Sequence, residues 1–281
     1  MIVLDGRKVR DFHRNRLIKR LEALSAVPTL ALFQVGDNPA SNVYIGQKVA
    51  FAQSIGARVH HMRFPEDVAF DDLEAAINKM NADQAVHGII VQLPLPAGLD
   101  KDKLIDLIDP AKDVDGLTTE NQRLLAAGRP GMIPATAKAV LAILDFYKID
   151  VKGKKAAVLG RSKLVGSPTA KLLSMRGAEV TVCHSKTPNT QEICAGSDLI
   201  VSAVGKARLV NASYVKKGAI IIDVGMSNIG EDEDKRLSGD VDQKAVAPLA
   251  SAMTPVPGGV GPVTVLCLFD NVVAAAEHYS K

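Results

Sequence analysis

Residues 156–185 read AAVLGRSKLVGSPTAKLLSMRGAEVTVCHS, and the way this stretch folds organises the rest of the chain. Ala156–Leu159 is a short apolar run of the kind that forms a strand buried on both faces. Gly160-Arg161-Ser162 follows, with Gly166 beyond it. Ser167-Pro168 reads as an N-cap followed by proline at the first helical position. The helix is expected to run through Leu172 and Leu173, stop at Gly177, and lead to a second strand at Val180–Cys183. Strand, glycine-bearing turn, helix and strand form the βαβ unit that places a dinucleotide's phosphates against a helix N-terminus.

The turn departs from the usual Gly-x-Gly-x-x-Gly: here Gly160-x-Ser162-x-x-x-Gly166 is one residue longer. About twenty residues further on, an NAD site carries an acidic residue for the ribose 2′-hydroxyl. This chain has His184-Ser185-Lys186 there, with no carboxylate. A cation and a hydroxyl suit a 2′-phosphate, and Arg161 lies in the turn. The expected cofactor is NADP.

The chain has 281 residues, enough for one or two domains. Hydrophobic residues at 47% and charged residues at 23% are those of a globular protein. A net charge of +3, unclustered, gives no reason to expect nucleic acid or a membrane surface as partner. No apolar run of transmembrane length is apparent, and the first ten residues, MIVLDGRKVR, lack signal-peptide architecture. Cys183, Cys194 and Cys267 are odd in number and lack metal-type spacing, which fits a reducing cytoplasm.

Upstream, a strand is expected at Ile2–Leu4 and a helix from Lys8 to Leu24, with Val9, Phe12, Leu17, Leu21 and Leu24 on one face. Thr29–Val35 reads as a buried strand. Ser41 reads as the N-cap of a helix over Asn42–Ile55 that places Tyr44 and Lys48 one turn apart. Strand Val59–Phe64 and helix Asp72–Asn81 follow. Val86–Val91 is an apolar strand that Pro94 and Pro96 forbid from continuing, leaving Gln92 at its C-terminal end, where ligands of parallel sheets bind. After a short helix at Lys103–Ile108 comes the charged loop Lys112-Asp113-Val114-Asp115-Gly116. Residues 134–147 read as a bridging helix, and βα alternation resumes after residue 185. Thr254–Pro262 holds three prolines and three glycines in nine residues and is expected to be a rigid loop. A helix over Val263–Tyr279 closes the chain.

Each candidate has a bland reading. A Tyr-x-x-x-Lys pair can be a packed tyrosine beside a surface lysine. It also serves short-chain dehydrogenases, but those place the nucleotide turn before the pair, whereas here it follows by more than a hundred residues. Gln92 could cap its strand, Asp115 could be a turn residue, and Asp113 reads as structural. His60 and His61 have no second ligand pair, so no metal site is expected. Asp223 reads as a hydrogen-bonding residue at a strand end.

Taken together, Tyr44-Ile-Gly-Gln-Lys48, Val91-Gln92-Leu93-Pro94-Leu95-Pro96, Lys112 through Gly116, Gly160-Arg161-Ser162 with Val165-Gly166, and Thr254 through Thr264 resemble the bifunctional methylenetetrahydrofolate dehydrogenase/cyclohydrolase family. The resemblance implies two α/β domains flanking a cleft. The folate-binding catalytic domain would span 1–140, completed by a C-terminal helix at about 263–281, and a Rossmann-like NADP-binding domain would span 141–262. It implies a catalytic Lys48, Tyr44 stacking on the folate's aminobenzoyl ring, Gln92 tuning the lysine, and Asp115 bonding the pterin. It also implies NADP contacts from Gly160, Arg161, Ser162, Ser185 and the backbone near Met226, with Pro257, Gly258 and Gly259 lining the folate site. Homodimers paired through their nucleotide domains are implied as well. Pro134-Ala135-Thr136-Ala137 and Arg123-Leu124 depart from the family pattern, as do Ser227 and Val263. Two other classes stay open on the residues alone: an NADP oxidoreductase acting on another small substrate, and a nucleotide-sensing regulator without chemistry.

Overall fold

The computed structural model describes residues 1–229 and 236–279. The first half holds β1 (Ile2–Val3), α1 (Gly6–Glu22), β2 (Thr29–Val35), α2 (Pro39–Ile55), β3 (Arg58–Phe64), α3 (Phe70–Ala82) and β4 (Gly88–Val91). Then come α4 (Lys101–Asp106), α5 (Thr119–Ala126), α6 (Ala135–Phe146), β5 (Lys155–Leu159), α7 (Gly166–Met175) and β6 (Glu179–Cys183). The remainder holds α8 (Thr190–Ala195), β7 (Leu199–Ser202), β8 (Ile220–Asp223), β9 (Ser227–Ile229) and β10 (Arg236–Ser238). Finally there are α9 (Gln243–Val246), β11 (Ala252–Met253) and α10 (Val260–Tyr279).

The chain divides into two compact units. One comprises Met1–Asp11 with Thr136–Thr264, and its six-stranded sheet has the order β1-β11-β8-β7-β5-β6. All its pairings are parallel. From β5 the chain passes through α7 to β6 on one side, then through α8 to β7 on the other, so the strand order reverses at β5. Such a reversal opens a crevice at the carboxyl ends of the strands. Ala156–Leu159 and all of β7 are buried, as continuous apolar runs covered on both faces must be.

The other unit comprises Phe12–Ala135 with Val265–Lys281 and holds a three-stranded parallel sheet, β3-β2-β4. β2 is central and wholly buried. Its Phe33 stacks on Phe64 with ring centroids 5.7 Å apart, and Leu73, Ile77 and Met80 of α3 pack onto the same core. β3 is an edge strand and alternates in burial, as a half-covered strand should.

Several expectations need correction. Asn38, not Ser41, caps α2: its side chain accepts from the Ala40 and Ser41 amides, and Pro39 takes the first helical position. Ser41 is buried inside that first turn. Phe12 is 67% exposed, because the buried stripe of α1 is narrower and carries Val9 and Leu17. α7 begins at Gly166, so Ser167 and Pro168 lie within its first turn. α10 begins at Val260 and takes in Gly261-Pro262, where a missing amide costs nothing in a first turn. The short helices α5, α8 and α9 and the β9–β10 hairpin have too little apolar periodicity to be read from sequence. Residues 2–3, grouped above with the catalytic half, pair with β11 of the six-stranded sheet.

α10 is long and apolar enough to cross a membrane over Val260–His278, but 67% of that span is buried inside the fold, as in a core helix. It carries one buried polar residue that fastens a distant loop. Asn271 Nδ2 donates to the carbonyls of Val114 at 2.8 Å and Ile133 at 2.9 Å. Asn271→Ala would orphan carbonyl groups that have little water to turn to. A loss of about 1–3 kcal/mol is expected, seen as a lower thermal midpoint in circular dichroism. An unchanged midpoint would mean that water replaces both bonds.

Candidate active site

The unit built on β3-β2-β4 gathers three of the predicted side chains from three elements. Lys48 stands on α2, Gln92 follows β4 directly, and Asp115 lies in the loop after α4. Lys48 Nζ donates to Gln92 Oε1 at 2.9 Å. Gln92 is held in turn: its amide donates to the Phe33 carbonyl at 2.8 Å, and its side-chain Nε2 donates to the Leu93 carbonyl at 2.7 Å. Both Lys48 and Asp115 keep some exposure while protein surrounds most of each side chain. Burial lowers the Lys48 pKa, and the nearby Asp115 charge opposes that shift. Burial raises the Asp115 pKa, with the Lys48 charge working the other way and Asp113 adding to the rise. Tyr44, one turn before Lys48, has its phenol raised by burial.

The loop bearing Asp115 is built by its neighbours. The Ile89 amide donates to the Lys112 carbonyl at 2.7 Å, laying the loop along β4. Gly88 permits this approach, since a Cβ there would lie 2.7 Å from Val114 Cγ1. Lys112 is buried and donates to the carbonyls of Met80, Asn81 and Asp83, so it closes the C-terminal end of α3. Asp113, also buried, accepts from the amides of Leu117 and Thr118, the Thr118 hydroxyl and Asn121 Nδ2. Of the three charges in this motif, two serve the backbone and Asp115 is left facing Lys48. Asn121 and Asn271 complete the support. Sequence reading missed both, because a lone asparagine in a helix carries no positional signal.

The six-stranded unit holds the other predicted positions. The Gly160 amide donates to the Cys183 carbonyl at 2.8 Å, and its φ of 106° lies where only glycine is comfortable. A Cβ on Gly160 would stand 2.4 Å from the Ala203 carbonyl oxygen, and one on Gly166 would stand 2.1 Å from the Gly160 oxygen. The turn therefore closes on itself and on the loop after β7. Ser162 Oγ accepts from the Val165 and Gly166 amides at 3.2 and 3.4 Å just ahead of α7, whose N-cap position is Val165 and not Ser167. Arg161 and Ser162 are exposed in this turn, Ser185 is exposed beyond β6, and Met226 is exposed beyond β8. Beyond β6, His184 Nδ1 accepts from the Lys186 amide at 3.1 Å, so the turn is folded by its own residues. Pro257, Gly258 and Gly259 precede α10, where the Gly6 amide donates to the Gly258 carbonyl at 2.9 Å. Among the described residues no group of His, Cys, Asp or Glu could hold a metal ion.

Comparison with known proteins bears on this arrangement directly. The profile of the tetrahydrofolate dehydrogenase/cyclohydrolase catalytic domain matches residues 4–115, and that of the NAD(P)-binding domain matches residues 134–280. The chain belongs to the tetrahydrofolate dehydrogenase/cyclohydrolase family. The bifunctional protein FolD of Streptococcus pneumoniae serotype 2 (strain D39) is 44% identical over 278 residues, covering 98% of this chain and 96% of the relative. Among solved structures, the bifunctional FolD of Campylobacter jejuni superposes with a TM-score of 0.95 at 38% identity, covering 99% of each chain. The Trypanosoma brucei family member, described as complexed with NADP cofactor and inhibitor, has a TM-score of 0.94 at 35% identity, covering 99% of this chain and 98% of that one.

Replacing Gln92 by glutamate would put a charge where a neutral amide now stands. In Gln92→Glu the Lys48 pKa should rise, because an anion beside an ammonium favours its charged form. A titration of the lysine side-chain carbons by NMR reads this directly. A Lys48 resonance titrating at the same pH in both proteins would show that the amide's neutrality is irrelevant.

Proposed function

We propose that this chain oxidises 5,10-methylenetetrahydrofolate with NADP and hydrolyses the resulting methenyl compound to 10-formyltetrahydrofolate, two steps of one-carbon metabolism. The observation that carries the reading is the Lys48–Gln92 bond beside Asp115: a lysine lowered in pKa, with a neutral acceptor, at the end of a parallel strand. On this reading the catalytic domain is the unit of Phe12–Ala135 with Val265–Lys281, and the nucleotide domain is the unit of Met1–Asp11 with Thr136–Thr264.

The side chains divide the work. Tyr44 stacks on the aminobenzoyl ring, and Asp115 accepts hydrogen bonds from the pterin. Pro257, Gly258 and Gly259 border the folate. Arg161 and Ser185, with no carboxylate beside them, suit the 2′-phosphate; Gly160, Ser162 and the backbone at Met226 hold the rest of the dinucleotide. NADP supplies the hydride acceptor. Hydride loss leaves a methenyl cation that its two nitrogens stabilise, so this step asks the protein for placement and no base. Water addition and ring opening do require proton movement. An ordinary lysine, with a pKa near ~10.4, is badly matched to that task. Burial brings Lys48 down, and the uncharged Gln92 does not undo the shift.

The family resemblance also supports a homodimer paired through the nucleotide domain, and the three free, buried cysteines are consistent with a cytoplasmic protein. Light scattering of the purified chain reports the assembly.

Two substitutions test the assignment. Lys48→Met should lose ~100-fold or more of the cyclohydrolase rate while part of the dehydrogenase rate survives, so methenyl-folate accumulates as NADPH appears. Equal loss of both rates would make Lys48 a shared positioning group. Arg161→Ala should raise the KM for NADP far more than that for NAD, one charge-assisted phosphate contact being worth roughly 1.5–3 kcal/mol. Equal use of NAD and NADP by the unaltered enzyme would sink the 2′-phosphate assignment.

A further inference from the structure

Two buried carboxylates in the six-stranded unit take no part in the chemistry above. Asp223 ends β8, and Asp240 follows β10; both are essentially inaccessible, at 1% and 0% exposure. Asp223 Oδ1 accepts from the amides of Gly225 and Asp240, each at 3.0 Å, and its Oδ2 accepts from the Val241 amide at 3.0 Å. Asp240 in turn reaches the loop after β7. Its Oδ2 accepts from the Ser202 hydroxyl at 2.9 Å and the Val204 amide at 2.8 Å, and its Oδ1 accepts from the Lys206 amide at 2.8 Å.

Two glycines make room for this arrangement. A Cβ on Gly239 would stand 1.9 Å from Asp223 Oδ2, and one on Gly225 would stand 2.0 Å from Asp240 Cγ. The result is a relay: β8 holds Asp223, Asp223 holds the backbone of residues 240 and 241, and the Asp240 side chain holds residues 202–206. That last segment is the one whose Ala203 carbonyl lies against Gly160. The arrangement is costly. Burial pushes Asp223 up to about 7 despite its three amide donors, with the Asp240 charge contributing to the rise.

We propose that Asp240 is a positioning residue for the nicotinamide half of the cofactor, acting through the Ser202–Lys206 loop rather than by touching the ligand. The topology says which half. β5 lies between β6 and β7, and the adenosine end with its 2′-phosphate goes to the β6 side, where Ser185 lies. The other end of a dinucleotide crossing the turn must then run toward the loop after β7. This inference rests on NADP occupying that turn.

Asp240→Asn is the sharp test, because both oxygens of Asp240 accept from N–H groups and an amide must turn its own NH2 against one of them. Titration calorimetry on the full-length enzyme should show NADP bound at least tenfold more weakly. Adenosine 2′,5′-bisphosphate, which carries only the adenosine end, should bind within twofold of the unaltered protein. Cyclohydrolase activity on methenyl-folate without NADP, which does not use this unit's cofactor, should stay within twofold. A purely structural role would instead lower the melting temperature and leave the NADP affinity of the folded enzyme unchanged; that result, or equal weakening of both ligands, overturns the proposal. Should Asp240→Asn fail to fold, Ser202→Ala removes one donor and should weaken NADP about two- to fivefold with the bisphosphate unaffected; unchanged NADP binding there overturns it equally. If the unaltered enzyme bound neither ligand, the cofactor reading itself would fail, an outcome separate from the fate of Asp240.

Discussion

Taking a lysine ammonium out of water is tolerable only if its protons find acceptors, and this chain does so twice with opposite results. Lys112 Nζ is given three backbone carbonyls, which use all of its donors. Lys48 is given one, the amide oxygen of Gln92. The first lysine is spent on holding α3 to the following loop. The second keeps donors for something that arrives later; burial lowers the pKa of both lysines, so the contrast lies in the acceptors each is given. The geometry around Lys48 follows from this asymmetry. β4 must end where Gln92 can reach Lys48, and the Lys112–Gly116 loop must lie close enough to bring Asp115 near.

The nucleotide side obeys a different constraint, the close approach of glycine backbone to neighbouring backbone and to two buried carboxylates. Gly160 lies against Ala203, Gly166 against Gly160, Gly225 against Asp240 and Gly239 against Asp223. At the first two a methyl group would collide with a backbone carbonyl, and at the last two with a carboxylate that could move only by giving up its hydrogen bonds. The unit thus fixes its loops by contact at the strand ends and leaves the side chains of Arg161 and Ser185 exposed.

The central strands were legible because β2, β5 and β7 are short apolar runs bounded by turns, and the sheet that buries them accepts nothing else. The grouping of Lys48, Gln92 and Asp115 was expected from the family resemblance, and the structure brings the three together; the nucleotide turn was legible from its glycines and the strand and helix that flank it. Helix beginnings were less so. Ser41 and Ser167 both look like caps in sequence, yet Asn38 caps α2 and α7 starts after Val165 with no side-chain cap. Local chemistry offers several hydroxyls and amides at a helix start, and tertiary packing chooses among them. Asn271 and Asp240 lay beyond sequence reading, since their partners are distant in the chain, whereas Asp223 was legible as a hydrogen-bonding residue at a strand end, though not its partners at residues 240 and 241.

That distance has a consequence for synthesis. The carbonyls of Val114 and Ile133 wait for Asn271, 157 and 138 residues downstream, and Ile2–Val3 wait for Ala252–Met253. Neither unit closes on local contacts alone: one needs Ala252–Met253 beside Ile2–Val3, and the other needs Asn271 at the carbonyls of Val114 and Ile133. Such long-range closure slows folding. It also orders events: before α10 is in place the chain already holds Lys48 and Gln92, but the loop bearing Asp115 still lacks the two bonds that Asn271 gives to Val114 and Ile133.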